Sequence, residues 1–313
     1  MNFYGGLVVV AALSLTSLLH AGTVLPAMQL NPSSDWDFSA RLDSGWRQDH
    51  FEWTIAGDLN GSNPNILSEL DWRNLNIVSA GGEVEVTFRQ DWHLRLGGGY
   101  GWIVGGNNRD SDYELNDRRG ESSRSTASTR GSAVDAGVVL AHDFEVLQRI
   151  TLTPLVGFIY HRQRLNDRAG VQVLDTESNH LGPFSGLDST YTAEWWGPEC
   201  GLDVKVTLAK KWRWLAGVRY EWLQYHGIGI WNLRQDLKNF NDRARGDGWI
   251  CTTGLEWDFA PRWTLSVMGE YGFRETGHDV SDTEYSDHSH ETTRFNEAEW
   301  ESLGVRVTVS CSF

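Results

Sequence analysis

The chain has 313 residues, a net charge of −15, 16 tryptophans and an aromatic share of 12%, against a negative mean hydropathy. That balance excludes a helical membrane protein, whose spans need about 20 consecutive apolar residues, and suits strands that are apolar on one face only. The acidic charge also excludes a nucleic-acid partner, because no basic stripe exists to displace counterions from phosphates.

In chain order, Leu7 to Leu19 is mostly apolar and is followed by His20, Ala21 and Gly22. It is too short to span a bilayer and has the form of a secretory signal, so residues 1–21 read as an export signal cleaved near Ala21. Met1 to Gly6 holds no Lys or Arg, which departs from the usual pattern. Residues 22–313 read as one domain, since no Pro-rich or Gly/Ser-rich linker divides them.

From Trp36 the apolar Trp36, Phe38, Ala40 and Leu42 alternate with Asp37, Ser39, Arg41 and Asp43. Period two is the signature of a strand facing two media. Around His50 the phase switches to Phe51, Trp53 and Ile55, which suggests a bulge. A return strand, from about Ile66 to Phe88, carries Leu70 and Trp72 and then Val84, Val86 and Phe88 in its apolar row. Trp92 to Val104 follows after a short turn, with Gly97, Gly99 and Gly101 in the polar row. The polar segment Gly105 to Arg130 reads as a loop, and Val134 to Leu140 and Ile150 to Tyr160 as strands four and five. Leu165 to Thr190 reads as a second long loop, before strands at Tyr191 to Leu208 and Trp212 to Trp222. A third loop reaches Arg245; strands at Trp249 to Phe259 and Trp263 to Phe273 and a fourth loop, Arg274 to Thr293, lead to the last strand. There Leu303, Val305, Val307, Val309, Cys311 and Phe313 alternate with Gly304, Arg306, Thr308, Ser310 and Ser312. Cys200, Cys251 and Cys311 lack metal-site spacing and sit in apolar rows, which points to no disulfide.

Short turns alternate with long segments. This predicts an all-β fold, a transmembrane antiparallel up-and-down β-barrel of ten strands with periplasmic turns and extracellular loops, placed in the outer membrane. A soluble barrel such as a lipocalin would instead turn the apolar row inward. The charged row, which includes Arg41, Glu85, Arg95, Asp203, Arg219, Glu256, Glu270 and Arg306, is then expected to pair across the lumen. Barrel width grows with strand number, so ten strands enclose a narrow bore.

Several stretches carry a family likeness: Ser68-Glu69-Leu70-Asp71-Trp72-Arg73, Gly101-Trp102-Ile103, Asn108-Arg109-Asp110-Ser111-Asp112-Tyr113, Leu152-Thr153-Pro154-Leu155-Val156-Gly157, Leu181-Gly182-Pro183-Phe184 and Trp231-Asn232-Leu233-Arg234. Together they resemble the Protochlamydia outer membrane protein family, which implies an outer-membrane location and a surface or porin-like role. More distantly, the strand plan, the Ser-Glu-Leu-Asp-Trp segment and the Asp-x-Asp are similar to the omptins, which implies aspartyl-type endopeptidase activity at basic sites. That second resemblance also implies lipopolysaccharide as an activating partner. Asp110 and Asp112 match the omptin carboxylate pair, whereas Gly229 and Trp231 stand where the omptin pattern needs Asp and His. His226, Asp236 and Asp242 lie nearby without the Asp-x-His spacing. An enzyme lacking its base is very slow, so the reading leans to a non-enzymatic barrel. His278, Asp279, Asp282, Asp287, His288, His290 and Glu291 crowd the last loop, where a solvated acidic loop is favoured over a metal site. No phosphate-binding loop or Gly-x-Ser-x-Gly elbow is present, so no cofactor is expected. The partners expected are outer-membrane lipid and an extracellular protein or solute at the loops.

Overall fold

The computed structural model describes residues 35–313, so the expected signal segment lies outside the described residues. The strands are β1 (Trp36–Ile55), β2 (Ser68–Phe88), β3 (Trp92–Leu115), β4 (Arg119–His142), β5 (Phe144–Leu147), β6 (Ile150–Asp175), β7 (Gly182–Pro183), β8 (Ser189–Ala209), β9 (Trp212–Ile230), β10 (Leu237–Ala260), β11 (Trp263–Thr276), β12 (Asp279–Tyr285) and β13 (His290–Ser312). Ten of them, β1, β2, β3, β4, β6, β8, β9, β10, β11 and β13, pair antiparallel in that order, and β13 closes on β1. Closure leaves no free edge, as a lipid-embedded sheet requires. β12 continues the place of β11, pairing with β10 and β13, and β5 and β7 add short pairings to β6.

All four of the segments read as long loops are in large part strand, since β9 runs to Ile230, β10 starts at Leu237, and β12 and the start of β13 fill most of Arg274 to Thr293. β3 runs on to Leu115 and β4 starts at Arg119, so the expected loop Gly105 to Arg130 is mostly a hairpin; β6 likewise continues to Asp175. Strands of 24 residues exceed the 9–11 needed to cross a bilayer, so roughly half of the wall stands above the membrane.

The lower half has an apolar outer face: Leu42, Val84, Leu94, Val156, Val218 and Val307 are exposed. Trp36, Trp92, Trp212 and Trp263 ring one end of this band and Trp46, Trp102, Trp222 and Trp249 the other, as membrane-interface girdles do. Cys200, Cys251 and Cys311 are free thiols on this outer face. Inside, the charged row pairs as its alternation implies. Arg41 reaches Glu83 (2.5 Å) and Glu85 (3.0 Å), Arg95 reaches Asp203 (3.0 Å), Arg219 the same Asp203 (2.6 Å) and Arg306 Glu270 (3.3 Å). A cavity of about 300 Å³ remains between these pairs, lined by Asp43, Arg47, Arg95, Asp135 and Glu270 among others.

The upper half inverts this order. Phe51, Trp53, Trp72, Tyr191, Trp195, Tyr225, Phe295 and Trp300 are buried inside it. Rings from opposite sides of the bore meet: Phe51 and Tyr191 are 5.8 Å apart, Trp72 and Tyr191 5.4 Å, and His161 and Trp300 5.0 Å. The switch at His50 is therefore not a bulge in β1, whose pairing with β13 is unbroken from Ser39 to Thr54. The backbone stays in phase and the apolar residues change sides. The bulge lies in β2, where Arg73 and Asn74 loop out, Asn74 with φ of 53°. That extra residue turns Trp72 and Leu70 inward although Val84, Val86 and Phe88 face lipid, so the single apolar row expected for β2 divides at this point.

Candidate functional site

At the outer mouth, β3 regains a regular pairing with β4 from Asn107 to Asp112. Asn108 is buried and donates from Nδ2 to Asp167 Oδ2 (2.7 Å) inside the bore. Alternation then places Asp110 and Asp112 on the same inner face, opposite Leu70 and Ser68 of β2. Both carboxyls are half-buried. Burial, reinforced by the charges of Asp112 and Asp167, holds the Asp110 carboxyl well above the usual carboxylate range. Burial also raises Asp112, opposed by a hydrogen bond from Ser68 and the charge of Arg234. Each carboxyl therefore favours its protonated form more than a free aspartate does.

Asp167 of β6 forms the floor beside them. It accepts from Trp72 Nε1 (3.1 Å), Asn108 Nδ2 and Thr129 Oγ1 (2.5 Å), and burial pushes its pKa up to about 6 despite these donors. On the far wall Asp242 of β10 accepts from Tyr191 Oη (2.7 Å) and Ser281 Oγ (2.5 Å), and Tyr191 and Tyr225 share a hydrogen bond of 2.7 Å. Burial raises Asp242 to about 6 as well, and holds both phenols neutral. Sequence reasoning passed over Asp167, Tyr191 and Tyr225, because a lone Asp in a presumed loop and scattered tyrosines carry no spacing signal. Their only trace was period-two alternation continuing beyond the expected strand ends.

The histidines do not join the acidic pair. His226, on β9, faces outward beside Asn241 (3.1 Å) and Glu194 (3.6 Å), whereas its neighbours Tyr225 and Gly227 face the bore. Asp242 faces inward, so the two stand on opposite faces of adjacent strands. Asp236 is held by Arg234 in the loop after β9. Trp231 packs on Phe240 (5.4 Å) and faces Tyr191 (6.4 Å). A Cβ on Gly229 would lie 3.0 Å from the Trp231 ring, so the indole occupies the space an acidic side chain there would need. In the last loop the imidazoles form separate pairs: His290 with Asp282 (3.0 Å) and His288 with Glu284 (3.3 Å). The group with metal-ligand spacing among the described residues is elsewhere, His50, Glu52 and Asp71 on the outer wall. There Arg73 (2.7 Å) and Arg109 (3.2 Å) already neutralise Asp71, so the residues do not favour a resident cation.

A closed antiparallel ring with an apolar belt, aromatic girdles and a charge-paired lumen defines an outer-membrane β-barrel protein. The chain belongs to the family described as Protochlamydia outer membrane protein, whose profile matches residues 41–313. Among solved structures it is similar to the outer membrane protease OmpT from Escherichia coli, at 13% identity and a TM-score of 0.74, covering 88% of this chain and 97% of that one. It also aligns with the translocator domain of the autotransporter NalP from Neisseria meningitidis, at 11% identity and a TM-score of 0.34 over 88% of each chain. No curated protein matches the sequence. At these identities the likeness to OmpT speaks to the barrel fold.

Proposed function

We propose that the protein is a closed surface barrel whose outer half is a rigid stalk presenting loops to an extracellular protein or solute, and that it does not act as a general diffusion channel. The observation that carries this reading is the aromatic layer across the bore, where Phe51, Trp72, Tyr191 and Trp195 are fully buried between opposite walls. Gln163 Nε2 to Asp49 Oδ2 (2.5 Å) and Arg47 to Asp135 (3.1 Å) bridge strands beneath it. Purified protein in planar bilayers should give no stepwise conductance in molar KCl. Steady ohmic steps from wild type, absent from a heat-denatured control, would overturn the reading.

A second reading, peptide hydrolysis of the omptin type, is favoured by the Asp110–Asp112 pair at the mouth. Among the described residues no histidine is paired with either carboxyl to complete the water-activating set, and Trp231 lies near Gly229 and Tyr191, where the omptin pattern needs one. Protein refolded with lipopolysaccharide should therefore leave peptides with paired basic residues uncut, and Asp110→Ala and Asp112→Ala should change nothing. Cleavage abolished by both substitutions would establish the second reading. Gly229→Asp needs Trp231→His beside it, because the indole must leave before the carboxylate fits.

A further inference from the structure

Just above the lipid-facing band, the outer wall is divided by charge. On one arc Asp71 of β2, Glu52 of β1, Glu299 of β13, Glu275 of β11 and Asp247 of β10 are successive cross-strand partners, an unbroken rank of carboxylates over five neighbouring strands. Glu297 and Glu301 lie in the same outward row of β13. Arg73 and Arg109 answer Asp71, and His50, Arg73 and Arg118 lie near Glu52, while Glu275 and Glu299 have no ion pair among the described residues. Like charges directly opposite one another destabilise a sheet. Burial, with the charges of Glu52, Glu297 and Glu275, raises the Glu299 carboxyl, a sign of that mutual repulsion.

The other arc is basic. Arg162 and Arg164 of β6 and Arg243 and Arg245 of β10 share the outward rows of Tyr160 and Trp249, with Arg130 of β4 beside them. Glu194 lies among them, met by Arg162 (3.8 Å), His226 (3.6 Å) and Tyr160 Oη (2.7 Å), and Asp247 follows Arg245 in the outward row of β10. Arg164, Arg243 and Arg245 are exposed. In the ring order Arg130, Arg162 and Arg164 on β4 and β6 stand across the barrel from Glu299 and Glu52 on β13 and β1, and the two arcs meet on β10, where Arg245 and Asp247 are neighbours in one outward row.

We propose that copies of this chain associate side by side in the membrane, the arginine arc of one against the carboxylate arc of the next. The bilayer fixes the height and the up-direction of every copy, so arcs just above the lipid band come face to face without a search in the third dimension. Anionic lipid headgroups would suit the arginines alone and leave the carboxylate rank facing negative charge; a second copy satisfies both. The contact is heterologous, joining different patches of the two copies, and so builds rows or closed rings rather than an isolated pair. It goes beyond the closed-barrel reading and does not depend on it.

Energy transfer between donor- and acceptor-labelled protein in phosphatidylcholine vesicles tests this. Transfer above random encounter is expected at about 0.1 M salt and should collapse at about 1 M, where the screening length falls from roughly 10 to 3 Å. Glu275→Lys with Glu299→Lys, and separately Arg243→Glu with Arg245→Glu, should each weaken self-association about tenfold. Mixed together, the two variants should associate again, because each then offers what the other lacks. Heat-modifiable migration on a gel establishes that both variants fold. Wild type that stays at the random level in low salt, or folded variants that fail to recover on mixing, would overturn the proposal. So would an arginine variant that loses affinity for phosphatidylglycerol vesicles while its self-transfer is unchanged, which would assign that arc to lipid headgroups.

Discussion

One strand shows both halves of the molecule. In the lower part of β9 Val218 faces lipid and Arg219 the lumen, where it pairs with Asp203; a few residues higher, Leu223 and Tyr225 face the bore while Gln224 and His226 face water. The pairing of β9 with β10 runs through this point without a shift. What inverts is the solvent: below, hydrocarbon surrounds the wall and the polar row must satisfy itself inside, and above, water surrounds it and the apolar row must hide inside. The molecule is a membrane barrel continued upward as a soluble one. The first half is held by charge pairs and lipid, the second by an aromatic core.

Removing one ring should break the upper half most. Trp72→Ala takes a fully buried indole from the centre of the aromatic layer and deprives Asp167 of a donor, at a cost of about 3–5 kcal/mol. The loss should appear as earlier unfolding by tryptophan fluorescence, with the gel shift of the membrane half retained. Next comes Val218→Arg on the lipid face of the lower half, expected to destabilise by about 2–4 kcal/mol in bilayer refolding titrations. Gln224→Arg, on the same outer face but above the girdle, should cost less than about 0.5 kcal/mol. Equal costs at Val218 and Gln224 would erase the boundary drawn between the halves.

A smaller effect concerns acid. The buried Asp242 carboxyl titrates near 6 in the folded protein, above the roughly 3.9 of an unfolded aspartate. The folded state therefore binds this proton more tightly. Its contribution is fully present below about pH 4 and is lost as pH rises through 6, by linkage about 2–3 kcal/mol in all. Asp242→Asn lacks this titration, so wild type should gain about that much on the variant when melts are repeated from pH 7 down to pH 4. A constant difference across that range would show that the carboxyl is not held protonated.

Much of the lower half was legible in the sequence. Leu303 to Phe313 against Gly304 to Ser312, or Trp212 to Trp222, alternate cleanly because each face meets a single medium. The upper half was harder. Its outward row is polar like a loop, so Asn107 to Leu115 and Leu165 to Asp175 read as connections although they are paired backbone. At β2 the bulge at Arg73 and Asn74 turns one apparent apolar row into two rows facing opposite ways, which periodicity alone does not reveal. The Asp110 and Asp112 spacing was visible and the shared inner face followed from it. The aromatic floor, the Asp167 cluster and the outward turn of His226 depend on pairings between distant strands.

The height of the wall has a consequence for what can approach the protein. A strand of 24 residues is about 80 Å long, and tilted by about 40° it stands about 60 Å tall, of which the hydrocarbon takes about 25 Å. The loops that β3 and β4 carry are thus lifted some 30 Å clear of the lipid surface. Whatever approaches those loops meets them well above the headgroups packed around the base. A substitution in those loops is separated by that height from the part of the barrel that must insert.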